Sequence, residues 1–191
     1  MKILVLNSGS SSQKACLYEI GETLPEHPPA ALWEGSVEFG DGTATIAVKS
    51  SNGVAQKEQI QACSREQVVR HLLSMLTDGK LGALGSVSEI GAVGHRVVHG
   101  GPDFEEPVIM TGEVRSAINR VSALAPLHIR AEVEGIEIVE NIVGPVPRWP
   151  FSIPAFIGKC HQKPQPIQDP MGGSRPAFGA MDFTESIIST A

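Results

Sequence analysis

Polar residues with phosphate-binding chemistry follow directly after the first apolar segment of the chain. Residues 3–6 are apolar throughout and predict a short buried strand. The residues after this strand are small or polar: Asn7-Ser8-Gly9-Ser10-Ser11-Ser12-Gln13-Lys14. Backbone N–H groups and hydroxyls in such a turn converge on one point, which suits phosphate oxygens. The pattern favours a phosphate-binding turn, and a plain surface turn is the alternative.

Two side chains at the ends of this motif extend its chemistry. Lys14 adds a compact positive charge, and Asn7 offers a neutral oxygen to a hydrated Mg²⁺. Residues 15–20 form a second apolar run. Two short runs joined by a few small residues predict a hairpin.

A second candidate site lies in an apolar run that contains an arginine and two histidines. The run ends in Gly94-His95-Arg96-Val97-Val98-His99-Gly100-Gly101 and predicts a buried strand followed by a glycine turn. Burying such side chains costs free energy unless they are paired or used. An arginine at a strand end can bind a carboxylate or a phosphate through a bidentate fork. A structural Arg–Asp pair is the alternative for Arg96.

The elements that must position these residues follow from hydrophobic periodicity. Strands are predicted over 32–39, 43–49 and, more weakly, 54–60, with Ile46 and Val48 on one face. A helix over 64–78 starts at a capping box formed by Ser64 and Gln67. Its buried stripe comprises Val68, Val69, Leu72, Leu73 and Leu76.

The region after the second motif predicts two more helices, over 113–124 and 131–143. Between them, Ala125-Pro126-Leu127-His128 predicts a break in which Pro126 starts a new direction. The pattern alone favours packing roles for Leu127 and His128. Another strand is predicted to begin at Val146 and to stop near Trp149.

Composition bounds the class of protein. The chain has 191 residues, enough to bury a core, and a net charge of −6, which disfavours nucleic acid or an anionic membrane as the main partner. The three cysteines, Cys16, Cys63 and Cys160, have no metal-like spacing and indicate reduced thiols. No apolar segment approaches ~20 residues, so a cytoplasmic location is expected.

Three motifs together resemble the acetate kinase (acetokinase) family, in the family's order and spacing: residues 7–14, residues 94–101, and Leu124-Ala125-Pro126-Leu127-His128. The resemblance covers about residues 1–148. It implies an α/β fold with the ribonuclease-H-like core of the acetate and sugar kinase, actin and heat-shock ATPase superfamily, a mixed sheet with flanking helices. It also implies reversible phosphoryl transfer from ATP to acetate, with Mg²⁺ or Mn²⁺, by a homodimer that binds neither nucleic acid nor membrane.

The resemblance assigns a role to each matching residue. Asn7 corresponds to the Mg²⁺-associated asparagine, and Lys14, with Ser10, Ser11 and Ser12, to the groups near the nucleotide phosphates. Arg96 corresponds to the arginine that binds acetate or acetyl phosphate. Val98 and Leu127 would line the pocket for the acetyl methyl, and His128 would lie close to the transferred phosphate. These roles match phosphoryl transfer, which needs positioning and neutralised charge.

The third motif departs from the family at one point. Ile129-Arg130 follows the histidine where the family usually has Asn-Pro. The departure bears on the floor of the acyl pocket and therefore on substrate preference, so a propionate or butyrate kinase is an alternative.

Residues 149–191 have a different composition from the rest of the chain. They hold six of the 14 prolines, which argue against a central strand in the apolar segment 151–157. Family motifs expected in this region, Phe-Asp-Thr-x-Phe-His and Tyr-Gly-Phe-His-Gly, can be recovered by shifting the codon frame by one base. We therefore expect an N-terminal domain over 1–148 and an out-of-frame, largely irregular tail over 149–191, without the catalytic Asp and the nucleotide-binding domain. The chain as written is then expected to be inactive, and a non-catalytic small-anion-binding module is the remaining alternative.

Overall fold

A mixed β-sheet organises the residues described by the structure, which is a computed structural model. These residues are 1–21, 27, 29–62, 64–97, 108–121, 126–144 and 152–153. Within them the sheet has eight strands: β1 Lys2–Ser8, β2 Ser12–Glu19, β3 Trp33–Phe39, β4 Thr43–Ser50, β5 Ala55–Gln61, β6 Ile90–Arg96, β7 Val108–Ile109 and β8 Ser152–Ile153. Their spatial order is β5-β4-β3-β2-β1-β6-β8-β7.

Strand β1 lies inside this sheet between two differently oriented neighbours. It pairs antiparallel with β2 and parallel with β6. The successive hairpins from β2 to β5 extend the antiparallel half. The predicted position of β1 inside a mixed sheet is confirmed, as is the predicted fold class.

Helices cover one face of the sheet. Helix α1, Arg65–Ser74, continues as a 3₁₀ turn over Met75–Thr77 and begins at Ser64, whose side chain accepts a hydrogen bond from Gln67 N at 3.2 Å. The five residues of its predicted stripe are all buried. They pack with Ile46 and Val48, whose shared face is thereby confirmed, and with Leu4 and Leu6 of β1 in the main core.

Helices α2, Gly112–Val121, and α3, Pro126–Val143, pack against each other on the same side of the sheet and share a second buried apolar cluster. Arg115 of α2 binds the carboxylate of Glu140 on α3. The helix predicted over 131–143 begins earlier, at Pro126, which starts a new element as expected; the placement of residues 126–128 in a break is wrong, because they are helical. A proline is well suited to that position, since its missing N–H would have no helical partner there. The helix predicted over 113–124 ends at Val121, and residues 122–125 lie outside the described part.

The two-residue strand β8 corrects a second expectation. Ser152 pairs with Gly94 of β6, and Ile153 pairs with Val108 of β7, so β8 lies within the sheet. We expected the proline content of this region, including Pro154, to argue against a central strand over 151–157. The strand forms nevertheless, because both paired residues, Ser152 and Ile153, carry an N–H. The strand predicted to begin at Val146 falls on residues outside the described part.

Among the described residues, no helix is long and apolar enough to span a membrane.

Candidate functional site

Asn7 and Arg96 are brought side by side by the parallel pairing of β1 and β6. They are register partners at the carboxyl ends of the two strands, and Arg96 Nη1 lies 3.5 Å from Asn7 Oδ1. This distance exceeds that of an ordinary N–H···O bond, so the contact is weak. Among the described residues, no carboxylate forms a salt bridge with Arg96. Within the described residues, the hydrogen-bonding contact of the guanidinium is the weak one with Asn7.

Strand β2 adds a second cation to this cluster. Lys14 is the cross-strand partner of Asn7, and paired residues of neighbouring strands project to the same face. The side chain of Lys14 is exposed. The row Lys14, Asn7, Arg96 thus places an amide between two cations, which is a suitable arrangement for a phosphate or a carboxylate.

The turn between β1 and β2 comprises Gly9, Ser10 and Ser11 and is shorter than predicted. Gly9 N donates to Ser12 O at 2.8 Å and closes the turn, and Phe39 N donates to Ser11 O at 3.0 Å. Ser12, which we predicted within the turn, is instead the first residue of β2. Ser10 and Ser11 are exposed.

Arg65, the first residue of α1, donates hydrogen bonds to the backbone of this turn. Its Nη2 donates to Gly9 O at 2.8 Å and to Ser10 O at 2.7 Å. Its Cζ lies 4.2 Å from the centroid of the Phe39 ring. Burial lowers the pKa of Arg65 and the nearby Glu134 raises it, and an arginine remains charged in either case. Sequence reasoning missed Arg65, because its role depends on contacts with residues more than fifty positions away.

The start of α3 lies at the carboxyl end of β6. Ile129 is fully buried in a cluster with Val97, the residue that follows Arg96. Arg130 is exposed. Of the two residues that depart from the family motif, Ile129 therefore packs the first turns of α3 against the end of β6.

Further along α3, Gly135 packs closely against the end of β1. A Cβ at position 135 would lie 2.9 Å from Ser8 Cβ, so only glycine fits without a shift. This contact and the Ile129 anchor fix α3 across the ends of β1 and β6. Leu127 and His128 belong to the first turn of α3, but their side chains, like Val98 as a whole, lie outside the described part. Their predicted roles stay predictions.

Buried polar side chains lie beneath the row on the helix-covered face. They are Ser8, Gln13, His95 and Glu132, each at most 3% exposed. Within the described residues, His95 Nε2 has no hydrogen-bond partner, and burial lowers the pKa of His95 to about 3. The imidazole is therefore neutral at pH 7. It therefore adds no positive charge to the candidate site at that pH.

Lys14 also borders an open groove of about 560 Å³ on the face of the sheet opposite the helices. Asn7 and Arg96 do not line it, so Lys14 is the residue that the groove and the row share. Burial raises the pKa of the Cys16 thiol in its wall, which disfavours a thiolate there. The described residues also contain no cluster of three or more His, Cys, Asp or Glu side chains that could hold a metal ion.

The fold and the cluster together define the class of the domain. A mixed sheet with helices packed on it brings Asn7 and Arg96 together at the carboxyl ends of two parallel strands. This is the α/β, ribonuclease-H-like architecture of the acetate and sugar kinase, actin and heat-shock ATPase superfamily. The profile of the acetokinase family matches residues 2–162. The chain belongs to the acetokinase family.

Individual relatives agree with this assignment. An acetate kinase from a Cyanothece species is 49% identical over 150 residues, which are 78% of this chain and 37% of the relative. An acetate kinase from a Nostoc species is 46% identical over 151 residues, again 37% of its length. This chain therefore spans little more than a third of the curated relatives it matches.

Solved structures of two relatives share the fold. Acetate kinase from Porphyromonas gingivalis superimposes with a TM-score of 0.70 at 33% identity, covering 81% of this chain and 37% of that one. A propionate kinase from Francisella tularensis gives a TM-score of 0.65 at 30% identity, covering 81% of this chain and 36% of that one.

Proposed function

We propose that this chain carries the acyl-substrate part of an acetate kinase, which transfers the γ-phosphoryl group of ATP to acetate. The observation that supports this most is the position of Arg96. Its guanidinium lies beside Asn7 at the ends of two parallel strands, without a salt bridge to any described carboxylate. An arginine at such a strand end can bind a carboxylate or a phosphate through a bidentate fork.

In the proposed reaction, a carboxylate oxygen of acetate attacks the γ-phosphorus, and the bond from that phosphorus to the ADP oxygen breaks. Arg96 binds the acetate carboxylate and then the acetyl phosphate formed from it. Lys14 and the turn of Gly9 to Ser11, with Ser12 beside it, bind phosphate oxygens of the nucleotide. These groups act by holding the reactants in line and by neutralising charge.

The third motif would complete this site. Its place in the first turn of α3, beside the end of β6, supports a role for His128 next to the transferred phosphoryl group. Val98 and Leu127 are proposed to contact the methyl group of the acetyl unit. All three assignments rest on the family motifs.

Asn7 is the proposed contact for the metal ion. Mg²⁺ usually keeps several waters and is bound mainly by substrate phosphates with few protein ligands, so a single amide oxygen fits it. The ion, when bound with the nucleotide, supplies charge neutralisation at the phosphates.

We also propose that residues 149–191 are translated out of frame and that this chain alone does not turn over. The two recoverable motifs support the shift, whereas the family match through residue 162 and the pairing of Ser152–Ile153 argue for sheet contacts beyond Trp149. Resequencing the codons for Arg148 and Trp149 tests the shift directly. Finding no missing or extra base there would contradict it.

Turnover tests the proposed activity. Acetyl phosphate formed from ATP and acetate should be undetectable with the 191-residue chain and should appear when the gene is restored by one base near the codon for Trp149. Robust turnover by the purified chain would contradict the proposed inactivity. A restored enzyme that phosphorylates no short carboxylic acid would contradict the proposed function.

Propionate is the second candidate acceptor, and the likeness to a propionate kinase structure favours including it. The restored enzyme should have the higher kcat/KM for acetate. A higher kcat/KM for propionate would move the assignment to the larger acid.

A further inference from the structure

We propose that Arg65 is a positioning residue for the phosphate-binding turn, through which it orients the backbone N–H groups of Ser10 and Ser11. The inference rests on the proposed function of that turn, and it adds a residue that the family motifs do not contain. It follows from three observations: the direction of two peptide groups in the turn, the hydrogen bonds that the Arg65 guanidinium donates to them, and the contacts that fix the guanidinium itself.

The first step concerns the two carbonyl groups that Arg65 binds. Its Nη2 donates to Gly9 O at 2.8 Å and to Ser10 O at 2.7 Å. Each carbonyl belongs to the same planar peptide unit as the next residue's N–H. In a trans peptide the C=O and N–H point in opposite directions. Holding both oxygens toward Arg65 therefore turns the N–H groups of Ser10 and Ser11 away from it.

The second step concerns what these N–H groups meet. Neither donates to any other group in the described part of the chain. The neighbouring N–H of Gly9, by contrast, is used inside the turn by Ser12 O at 2.8 Å. Two adjacent donors that point outward, beside exposed serine hydroxyls, form the kind of concave group that binds phosphate oxygens.

The third step concerns why the guanidinium itself is fixed. Its Cζ lies 4.2 Å from the Phe39 ring centroid, and its Nε lies 3.8 Å from Glu134 Oε2. Phe39 N also binds Ser11 O, so the same residue supports the turn and the arginine. Arg65 is thus held by β3 and α3 while it holds the turn. A flexible cation could not impose one orientation on two peptide groups, and a planar, packed guanidinium can.

The test combines an observation without ligand and one with ligand, both on the 191-residue chain by amide NMR. The variant Arg65→Met keeps an apolar stem over Phe39 but removes the donors. In the native chain the Ser10 and Ser11 amides should have order parameters near 0.85, and in the variant below about 0.6. Titration with inorganic phosphate should shift both amides in the native chain, with an affinity about tenfold higher than in Arg65→Met.

A matched control and a conservative variant complete the design. Arg70→Met removes an exposed arginine of the same helix, whose described ion pair is with Glu66, and should change neither observation. Arg65→Lys should recover part of the order, because one ammonium can reach a carbonyl but cannot fork. It also carries the test if the methionine variant does not fold.

The outcomes separate this inference from the proposed function. If Arg65→Met and Arg65→Lys leave the order parameters and the phosphate affinity at their native values, the positioning role is overturned while the proposed function stands. If the native turn shows no phosphate shifts, the proposed function of the turn is overturned. The positioning role of Arg65 is then tested by the order parameters of the Ser10 and Ser11 amides alone, which are measured without ligand. A drop in Arg65→Met supports the role, and native values overturn it.

Discussion

The two faces of the sheet differ sharply at the end where β1 and β6 terminate. On the covered face, Leu6 and Val97 are fully buried against the helices, and even the polar Gln13 is buried. On the other face the register row holds Lys14, Asn7 and Arg96. Successive residues of one strand thus point alternately to the buried core and to the face that holds the candidate binding residues.

Farther back along β1 this contrast disappears. Ile3 and Val5 point to the face opposite the helices, which we call the open face, yet they are buried there in a small cluster with Ile20. The middle of β1 is therefore apolar on both sides. Only its last residues separate into a packed and a polar face. The candidate site thus lies where the apolar cluster on the open face ends. Substitutions on the covered face should lower stability, whereas substitutions in the row should change ligand binding.

The largest expected effect on stability is on the covered face. Leu72→Ala removes a fully buried side chain from the main core and should lower the free energy of unfolding by about 3 kcal/mol. Urea denaturation measures it. Val54→Ala, at an exposed position, should change it by less than about 0.5 kcal/mol. Equal losses in the two variants would show that the described core is wrong.

A smaller loss is expected where α3 crosses the end of β1. Gly135→Ala places a Cβ against Ser8 and should cost about 1–3 kcal/mol, although alanine is the better helix former. Gly112→Ala in α2 meets nothing within 4 Å and should be neutral or stabilising. If denaturation shows Gly135→Ala to be as stable as Gly112→Ala, α3 does not contact the strand end as described.

The smallest expected effect is a pH dependence due to His95. Its pKa is about 3 in the folded chain and about 6.5 when unfolded, so the unfolded state binds more protons between these values. Stability is then full above pH 6.5 and is lost as the pH falls toward 3, by about 1 kcal/mol between pH 7 and pH 5.5. His95→Leu should remove this part of the slope. A native chain and a His95→Leu variant with the same slope would contradict the buried, neutral state of His95.

Local patterns were sufficient to predict much of this fold and part of the site. The stripe of α1 and the shared face of Ile46 and Val48 follow from periodicities that act within one element. The motifs indicated Asn7 and Arg96 as candidate binding residues, and the register of β1 and β6 brings the two side by side. Each of these features depends on residues near one another in the chain or on a strand order that the family resemblance implies.

What could not be predicted depends on contacts between distant segments. Pro126 was placed in a break because a proline stops a helix as readily as it starts one. Arg65 and His71 carried no local signal, yet Arg65 binds the turn, and His71 Nε2 lies 2.6 Å from Glu58 Oε1. The strand at Ser152–Ile153 is too short to show a period of its own.

The most direct measurement of the central claim is acetyl phosphate binding to Arg96→Ala, compared with its stability. Removing the guanidinium from the open face should weaken binding at least about 100-fold, as measured by calorimetric titration of the 191-residue chain, and change the free energy of unfolding by less than about 1 kcal/mol. Arg120→Ala, at an exposed position of α2, should change neither quantity. Native-like binding by Arg96→Ala, or a loss of binding that only follows unfolding, would contradict the assignment of the open face to the acyl substrate.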